Sequence, residues 1–164
     1  MIAVADSSPL IILGKIDCLD LLGRIFTRVF ISTEVHREVV VEGAGRPGAV
    51  EVERADWIET VALQNKASLL AAQEKFSVGV GELSAILLAK EIQADALLID
   101  DYVARRIAKT ESLTVLGAAG LLEAFYLGGH LADIRAAYRQ LAAFSYIDGR
   151  ILNDRLRVLG MPPI

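Results

Sequence analysis

Short aliphatic and β-branched runs alternate along the chain with longer stretches of helical spacing. Ile2-Ala3-Val4-Ala5 is strand-sized, apolar, and stops at Asp6. Ser7-Ser8-Pro9 follows and reads as a serine cap with proline at the start of a helix, where its missing N–H costs nothing. Leu10, Leu13 and Ile16 or Asp17 give that helix a face, and Asp17 is placed to cap a second short helix carrying Leu19, Leu21 and Leu22. Arg28-Val29-Phe30-Ile31 reads as the next strand, with Ser32 capping a helix that carries Val35, Val39 and Val40. Gly43-Ala44-Gly45-Arg46-Pro47-Gly48 is the clearest loop. Beyond it the pattern predicts a short helix from Ala49 to Ala55, a strand from Trp57 to Leu63, a helix from Ala67 to Glu74, and a turn at Gly79-Val80-Gly81. An apolar helix then runs from Glu82 to Glu91. The strand Ala96-Leu97-Leu98-Ile99 ends in Asp100-Asp101, a helix follows with Val103, Ile107 and Ala108, and Leu113 to Leu116 forms a last strand before three helices.

Strands separated by helices of this length form βαβ units, so the expected fold is α/β, with a central parallel sheet covered on both faces. No composition shift or repeat divides the chain, so residues 1–164 read as one domain, with about 130–160 as its C-terminal helical part. In sheets of this kind ligands bind in the crevice beyond the carboxyl ends of the strands.

Composition narrows the function classes. With 164 residues and 54% of them hydrophobic, the chain encloses a real core and is not a disordered linker. No apolar run approaches the roughly 20 residues that cross a bilayer. Met1-Ile2-Ala3-Val4-Ala5-Asp6 has no basic segment of the kind that opens a secretion signal, so the expected location is cytoplasmic, away from membranes. The single cysteine, Cys18, excludes an internal disulfide. A net charge of −4 argues against gripping nucleic acid by bulk electrostatics. It leaves room for an enzyme that touches nucleic acid through metal ions and a few arginines.

The acidic residues fall where that chemistry needs them. Asp6, Asp100 and Asp101 close two strands, Glu82 opens a helix after a Gly-Val-Gly turn, and Glu38 lies one helical turn past Glu34. Asp100 or Asp101 alone reads as a helix cap. Several carboxylates converging without Lys or Arg among them are costly unless a cation sits there. Oxygen ligands without His or Cys select Mg²⁺ or Mn²⁺, and one or two such ions are the usual apparatus for in-line displacement at a phosphodiester. Two divalent ions would bring the formal charge of −4 to zero. Arg105 and Arg106 could clasp a phosphate or pair with neighbouring carboxylates, and Ser7 could hydrogen-bond within the acidic cluster or serve as a plain cap. His36 and His130 lie on different elements without a Ser or Cys partner, so no His-based triad is supported. An aspartyl-nucleophile phosphohydrolase would need a second Asp two residues after Asp6, where Ser8 stands. The stripe Leu121, Leu122, Phe125, Leu131 and Ile134 is expected either to pack in the core or to meet a second copy or another partner.

These residues resemble the PIN domain (PilT N-terminus), in particular a short prokaryotic subfamily. The carriers are Asp6-Ser7-Ser8-Pro9-Leu10-Ile11, the Ile31-to-Val39 segment with Glu38, Gly81-Glu82-Leu83-Ser84-Ala85-Ile86, and Leu97-Leu98-Ile99-Asp100-Asp101 with Ala104-Arg105-Arg106. Phe144-Ser145-Tyr146-Ile147-Asp148 is similar to the family's closing part, so the resemblance spans nearly the whole chain. It implies a three-layer α/β/α fold and a metal-dependent endoribonuclease that cuts single-stranded RNA. Many such proteins are toxins of type II toxin–antitoxin pairs, so a small cognate antitoxin is the implied partner, while a homodimer is what the apolar stripe at Leu121 to Ile134 leads us to expect. Carried over by position, Asp6, Glu38, Glu82 and Asp101 are the catalytic set. Asp6, Glu82, Asp100 and Asp101 are the candidate ligands of Mg²⁺ or Mn²⁺, with the Asp100/Asp101 choice open. Ser7, Arg105 and Arg106 are candidate substrate contacts. The sequence departs from the family at Ser84, where a second Glu is frequent, and at Ala118-Ala119, where Ser or Thr often follows the glycine. The alternative these departures leave is a PIN-like module with impaired catalysis that binds RNA or a partner.

Overall fold

In the computed structural model, which describes all 164 residues, five parallel strands form one sheet in the order β3-β2-β1-β4-β5. The strands are β1 (Ile2–Ala5), β2 (Arg28–Ser32), β3 (Ile58–Val61), β4 (Ala96–Leu98) and β5 (Val115–Leu116). Ten α-helices surround them: α1 (Ser7–Lys15), α2 (Leu22–Ile25), α3 (Thr33–His36), α4 (Ala49–Arg54), α5 (Lys66–Lys75), α6 (Val80–Glu91), α7 (Tyr102–Thr110), α8 (Ala118–Leu127), α9 (Ile134–Phe144) and α10 (Gly149–Val158). The chain first builds the sheet in one direction, β1 to β3, then returns to add β4 and β5 on the far side of β1. Right-handed crossovers force the helices of the two halves onto opposite faces, which gives the three-layer α/β/α fold. Helix α6 packs on β1, β2 and β4, with α5 and α7 beside it, and α1 packs with α4, α8 and α9.

The reversal point lies between β1 and β4, whose register pairs Ala5 with Leu98. The Asp6 N–H donates to the Leu98 carbonyl at 2.9 Å, so the first acidic residue is fixed at the carboxyl edge of the central strands. No helix is long and apolar enough to cross a membrane.

Several local expectations are corrected. Neither serine caps α1, because Asp6 occupies the capping position, and its carboxylate makes no capping hydrogen bond. Asp17 caps nothing. It sits at φ 54° in the turn before a 3-10 segment, Leu19–Leu21, whose capping residue is Cys18. The helix after β2 does not continue as one α-helix. Ser32 caps α3 by accepting from the Val35 N–H at 3.0 Å, and the chain then widens into a π-helical stretch, Arg37–Val41. The strand ends are shorter than their apolar runs: Trp57 contributes only its carbonyl, which accepts from the Val29 N–H at 2.9 Å, and Leu63 and Leu113 pack without joining the ladder.

The stripe on α8 and α9 is core, not a partner surface: Leu121, Leu122, Phe125 and Ile134 are fully buried, with Leu131 packed at their margin. Helices α8, α9 and α10 bury this face on one another and on α1, so the C-terminal helices close the sheet's flank themselves. A polar clasp fixes them. Arg155 on α10 makes two hydrogen bonds to Glu123 on α8 at 2.6 and 2.7 Å, and the Tyr138 hydroxyl on α9 donates to the same carboxylate at 2.9 Å. Burial pushes the Tyr138 phenol well above its ordinary range, so it stays a donor. Glu123→Ala would strand the Arg155 guanidinium and leave the Tyr138 hydroxyl only its longer bond to the Ala119 carbonyl at 3.3 Å, and should destabilise the fold by about 2–3 kcal/mol in urea denaturation. A change below 0.5 kcal/mol, the ordinary surface range, would show the clasp to be ornamental.

Candidate active site

Three carboxylates from three elements face one another at the β1–β4 edge. Asp6, at the end of β1, is 1% exposed, and neither of its carboxylate oxygens has a hydrogen-bond partner. Its pKa is pushed from 3.8 to about 7, first by burial, then by the charge of Glu82, and further by Glu38. The N–H groups of Ser7 and Ser8 oppose the rise without closing a hydrogen bond of good geometry.

Glu38 reaches this group through the π-helical stretch, whose wider turn carries an i→i+5 bond from the Glu42 N–H to the Arg37 carbonyl at 2.8 Å. The Ser7 hydroxyl donates to Glu38 Oε2, so Ser7 holds a carboxylate and is not a plain cap. Glu34, one turn earlier, accepts instead from the neighbouring Thr33 hydroxyl at 3.2 Å. Glu82 enters on the first turn of α6, whose positive dipole end favours acidic groups there.

The glycines before Glu82 have a packing reason. A Cβ on Gly81 would stand 2.5 and 2.6 Å from the two Glu38 oxygens, and one on Gly79 would strike a Glu82 oxygen. Sequence reasoning treated this Gly-Val-Gly only as a turn. The structure shows that it clears space for two carboxylates. Ser84, where the resemblance anticipates a second Glu, is fully buried and bonded to Ser32 Oγ at 2.6 Å and to the Gly81 carbonyl at 2.7 Å. Its hydroxyl ties α6 to the end of β2 and offers nothing to a ligand.

The two aspartates after β4 divide their work. Asp100 is half-buried and accepts from the Ala118 N–H at 2.7 Å, which anchors the start of α8. Burial raises its pKa, while that N–H and the Arg105 charge pull it back. Asp101 is exposed and caps α7, accepting from the Ala104 N–H at 2.8 Å. Both line a cleft of about 550 Å³ together with Glu82, whereas Asp6 and Glu38 do not line it. Glu82 is therefore the residue common to the group around buried Asp6 and the open cleft. No Lys or Arg forms an ion pair with any of these five carboxylates. Arg105 lines a second cleft of about 610 Å³, and Arg106 lies over the Tyr102 ring, 5.9 Å from its centroid.

The sequence profile of the PIN domain matches residues 2–160. The chain belongs to the PIN domain family. Among solved structures it is similar to a PilT N-terminus domain protein from the hyperthermophilic archaeon Sulfolobus solfataricus, at 18% identity and a TM-score of 0.52, covering 81% of this chain and 96% of that one. That likeness speaks for the fold. No curated protein sequence matches the chain. PIN domains are generally nucleases that use divalent metals, and the donor set of this PIN domain can be tested against that on its own terms. No three acidic, His or Cys side chains converge closely enough to hold an ion by themselves. Mg²⁺ does not require such a cage, since it commonly keeps several waters and binds through one or two carboxylates. Asp6, buried with both oxygens unpartnered and two further carboxylates acting on it, fits that mode.

Proposed function

We propose that this PIN domain is an endoribonuclease that cuts single-stranded RNA in the cytoplasm, with Mg²⁺ or Mn²⁺ bound by Asp6 and Glu82 and reached from the Asp100–Asp101 side. The observation carrying the reading is Asp6: a buried carboxylate with no hydrogen-bond partner is a standing cost that the Ser7 and Ser8 N–H groups offset only in part and a divalent cation would offset further. When bound, the ion supplies charge neutralisation at the phosphodiester and acidifies water.

The chain's own groups supply the rest. Ser7 fixes Glu38 by one oxygen, which leaves Glu38 Oε1 to accept a proton from an attacking water. Asp100 and Asp101 each commit Oδ1 to a backbone N–H, which orients Oδ2 as the remaining acceptor. Arg105, in the adjoining cleft, meets a phosphate of the strand. The test is cleavage of a single-stranded RNA with and without Mn²⁺, using Asp6→Asn as the control. Metal-dependent cleavage that falls at least about 100-fold in the variant is expected for a group acting in the transition state. Equal activity in the variant, or cleavage indifferent to chelator, would overturn the assignment.

The role as toxin of a toxin–antitoxin pair, with its implied antitoxin, is supported by the sequence resemblance. Its test is growth arrest on induction, relieved by the product of a small neighbouring gene.

A further inference from the structure

Two large clefts open at the carboxyl edge of the sheet, and they share one boundary formed by Asp100, Tyr102, Tyr146 and Ile147. Two of those four are tyrosines standing in solvent. Tyr102, the first residue of α7, is 72% exposed, and Tyr146, between α9 and α10, is fully exposed. Neither hydroxyl forms a hydrogen bond within the protein, unlike that of buried Tyr138. The Arg106 guanidinium lies over the Tyr102 ring, which steadies that ring at the mouth of the clefts. Chemistry differs on the two sides of this ridge. The first cleft holds the Glu82 and Asp101 carboxylates with Lys15 among them, the second holds Arg105 and Arg155 with Asp148, which is paired to Arg150, and Asp100 stands on the boundary of both.

We propose that Tyr102 and Tyr146 form a stacking platform for unpaired bases, which carries a single strand over the ridge so that its reacting phosphate lies on the acidic side and a flanking phosphate lies at Arg105. This rests on the ribonuclease reading for the identity of the strand. Every base has a π-face, so such a platform accepts any sequence but only bases that are not already paired. A duplex keeps its bases stacked on each other and cannot present them to the rings. Selection of single strands thus falls to two aromatic side chains outside the acidic cluster. Phe144, on the rim of the first cleft and also exposed, extends the apolar surface along the same path.

The experiment pairs binding with turnover. Binding of a short fluorescein-labelled single-stranded RNA is measured by anisotropy in the Asp6→Asn background, and KM and kcat are measured in the otherwise native enzyme. Each is done with Tyr102→Ala, Tyr146→Ala, Tyr102→Phe and Tyr146→Phe. Loss of one stacked base is worth roughly tenfold in affinity, so each alanine variant should bind about tenfold more weakly and raise KM similarly, with kcat nearly unchanged. Both phenylalanine variants should behave as wild type, because the ring and not the hydroxyl does the stacking. The same RNA with abasic positions should lose the dependence on the rings. Both sites are exposed, so melting temperatures should not move and folding cannot mimic the effect. Cleavage with KM and binding unchanged in the alanine variants would overturn the platform while leaving the ribonuclease reading intact. Ring-dependent binding without cleavage would do the reverse. Absence of binding by wild type, or failure of phenylalanine to restore it, overturns the platform.

Discussion

The metal-free protein should become less stable as pH rises from 4 to 8, and Asp6→Asn should abolish that trend while leaving the enzyme inactive. Asp6 titrates near 3.8 in the unfolded chain and near 7 in the fold. Between those values the native state holds a proton that the unfolded state has released, so stability falls as pH increases. The contribution is complete below pH 4 and lost once pH passes about 7. A difference of about 3 pK units corresponds to about 4 kcal/mol as an upper bound, on a total that for most domains is only 5–15 kcal/mol. Asparagine keeps the shape, carries no charge, and offers N–H donors to the Glu38 and Glu82 carboxylates. At pH 8 the variant should therefore melt several degrees above wild type, and below pH 4 the two should coincide. Saturating Mn²⁺ should close that gap at pH 8, because it stabilises only the native protein that keeps the carboxylate, by about 4.1 kcal/mol at a thousandfold excess over Kd. Urea titrations at both pH values, with and without Mn²⁺, measure all of this. Parallel pH profiles for wild type and variant would mean that Asp6 is ionised in the fold at no cost and needs no cation to offset its burial. The general point is that this residue lowers stability for the sake of the site, a trade common in active centres.

How far the site was legible in the sequence depended on whether a residue's role was covalently local. The parallel sheet followed from runs such as Ile2–Ala5 and Ala96–Ile99, which are apolar on both faces because helices cover both faces. Asp6 and the Asp100–Asp101 pair were placed by the same logic, since a strand that ends in a carboxylate delivers it to the sheet edge. Which aspartate turns inward was not legible. It is decided by the Ala118 N–H, eighteen positions further on, which claims Asp100 and leaves Asp101 to cap α7. Glu38 was singled out on a geometry that the structure does not have. A regular α-helix was expected, and the π-helical stretch that brings Glu38 to Ser7 has no spacing signal in Val35, Val39 and Val40. The apolar stripe on α8 and α9 was readable as apolar but not as buried, because its cover is α10 and α1, distant in sequence. Tyr102 and Tyr146 drew no functional reading at all, since an aromatic residue announces its role only when its exposure is known.

Gly81→Ala should cost catalysis at least about 100-fold while leaving the fold as stable as before, a separation that few substitutions in a buried site allow. Alanine is the better helix former by up to about 1 kcal/mol, so the first turn of α6 gains if anything. The added methyl, however, would stand 2.5 and 2.6 Å from the Glu38 oxygens and 2.8 Å from their carbon, well inside contact distance. A long side chain yields more readily than backbone, so Glu38 swings aside and releases Ser7, and little strain remains in the fold. Displacement of a reacting group by about 1 Å is sufficient for a 100-fold loss. The fall should appear in kcat and not in RNA affinity, because Glu38 lies outside the clefts that hold the strand. Gly149→Ala is the matched control, an early helical glycine whose Cβ would meet nothing within 4 Å, and should leave both activity and melting unchanged. Shortening the displaced acid in the double variant Gly81→Ala/Glu38→Asp should recover part of the rate, since one methylene less makes room for the new methyl. Retention of wild-type kcat in Gly81→Ala would show that Glu38 takes no part in the reaction, and would reduce the catalytic set to Asp6, Glu82 and the Asp100–Asp101 pair.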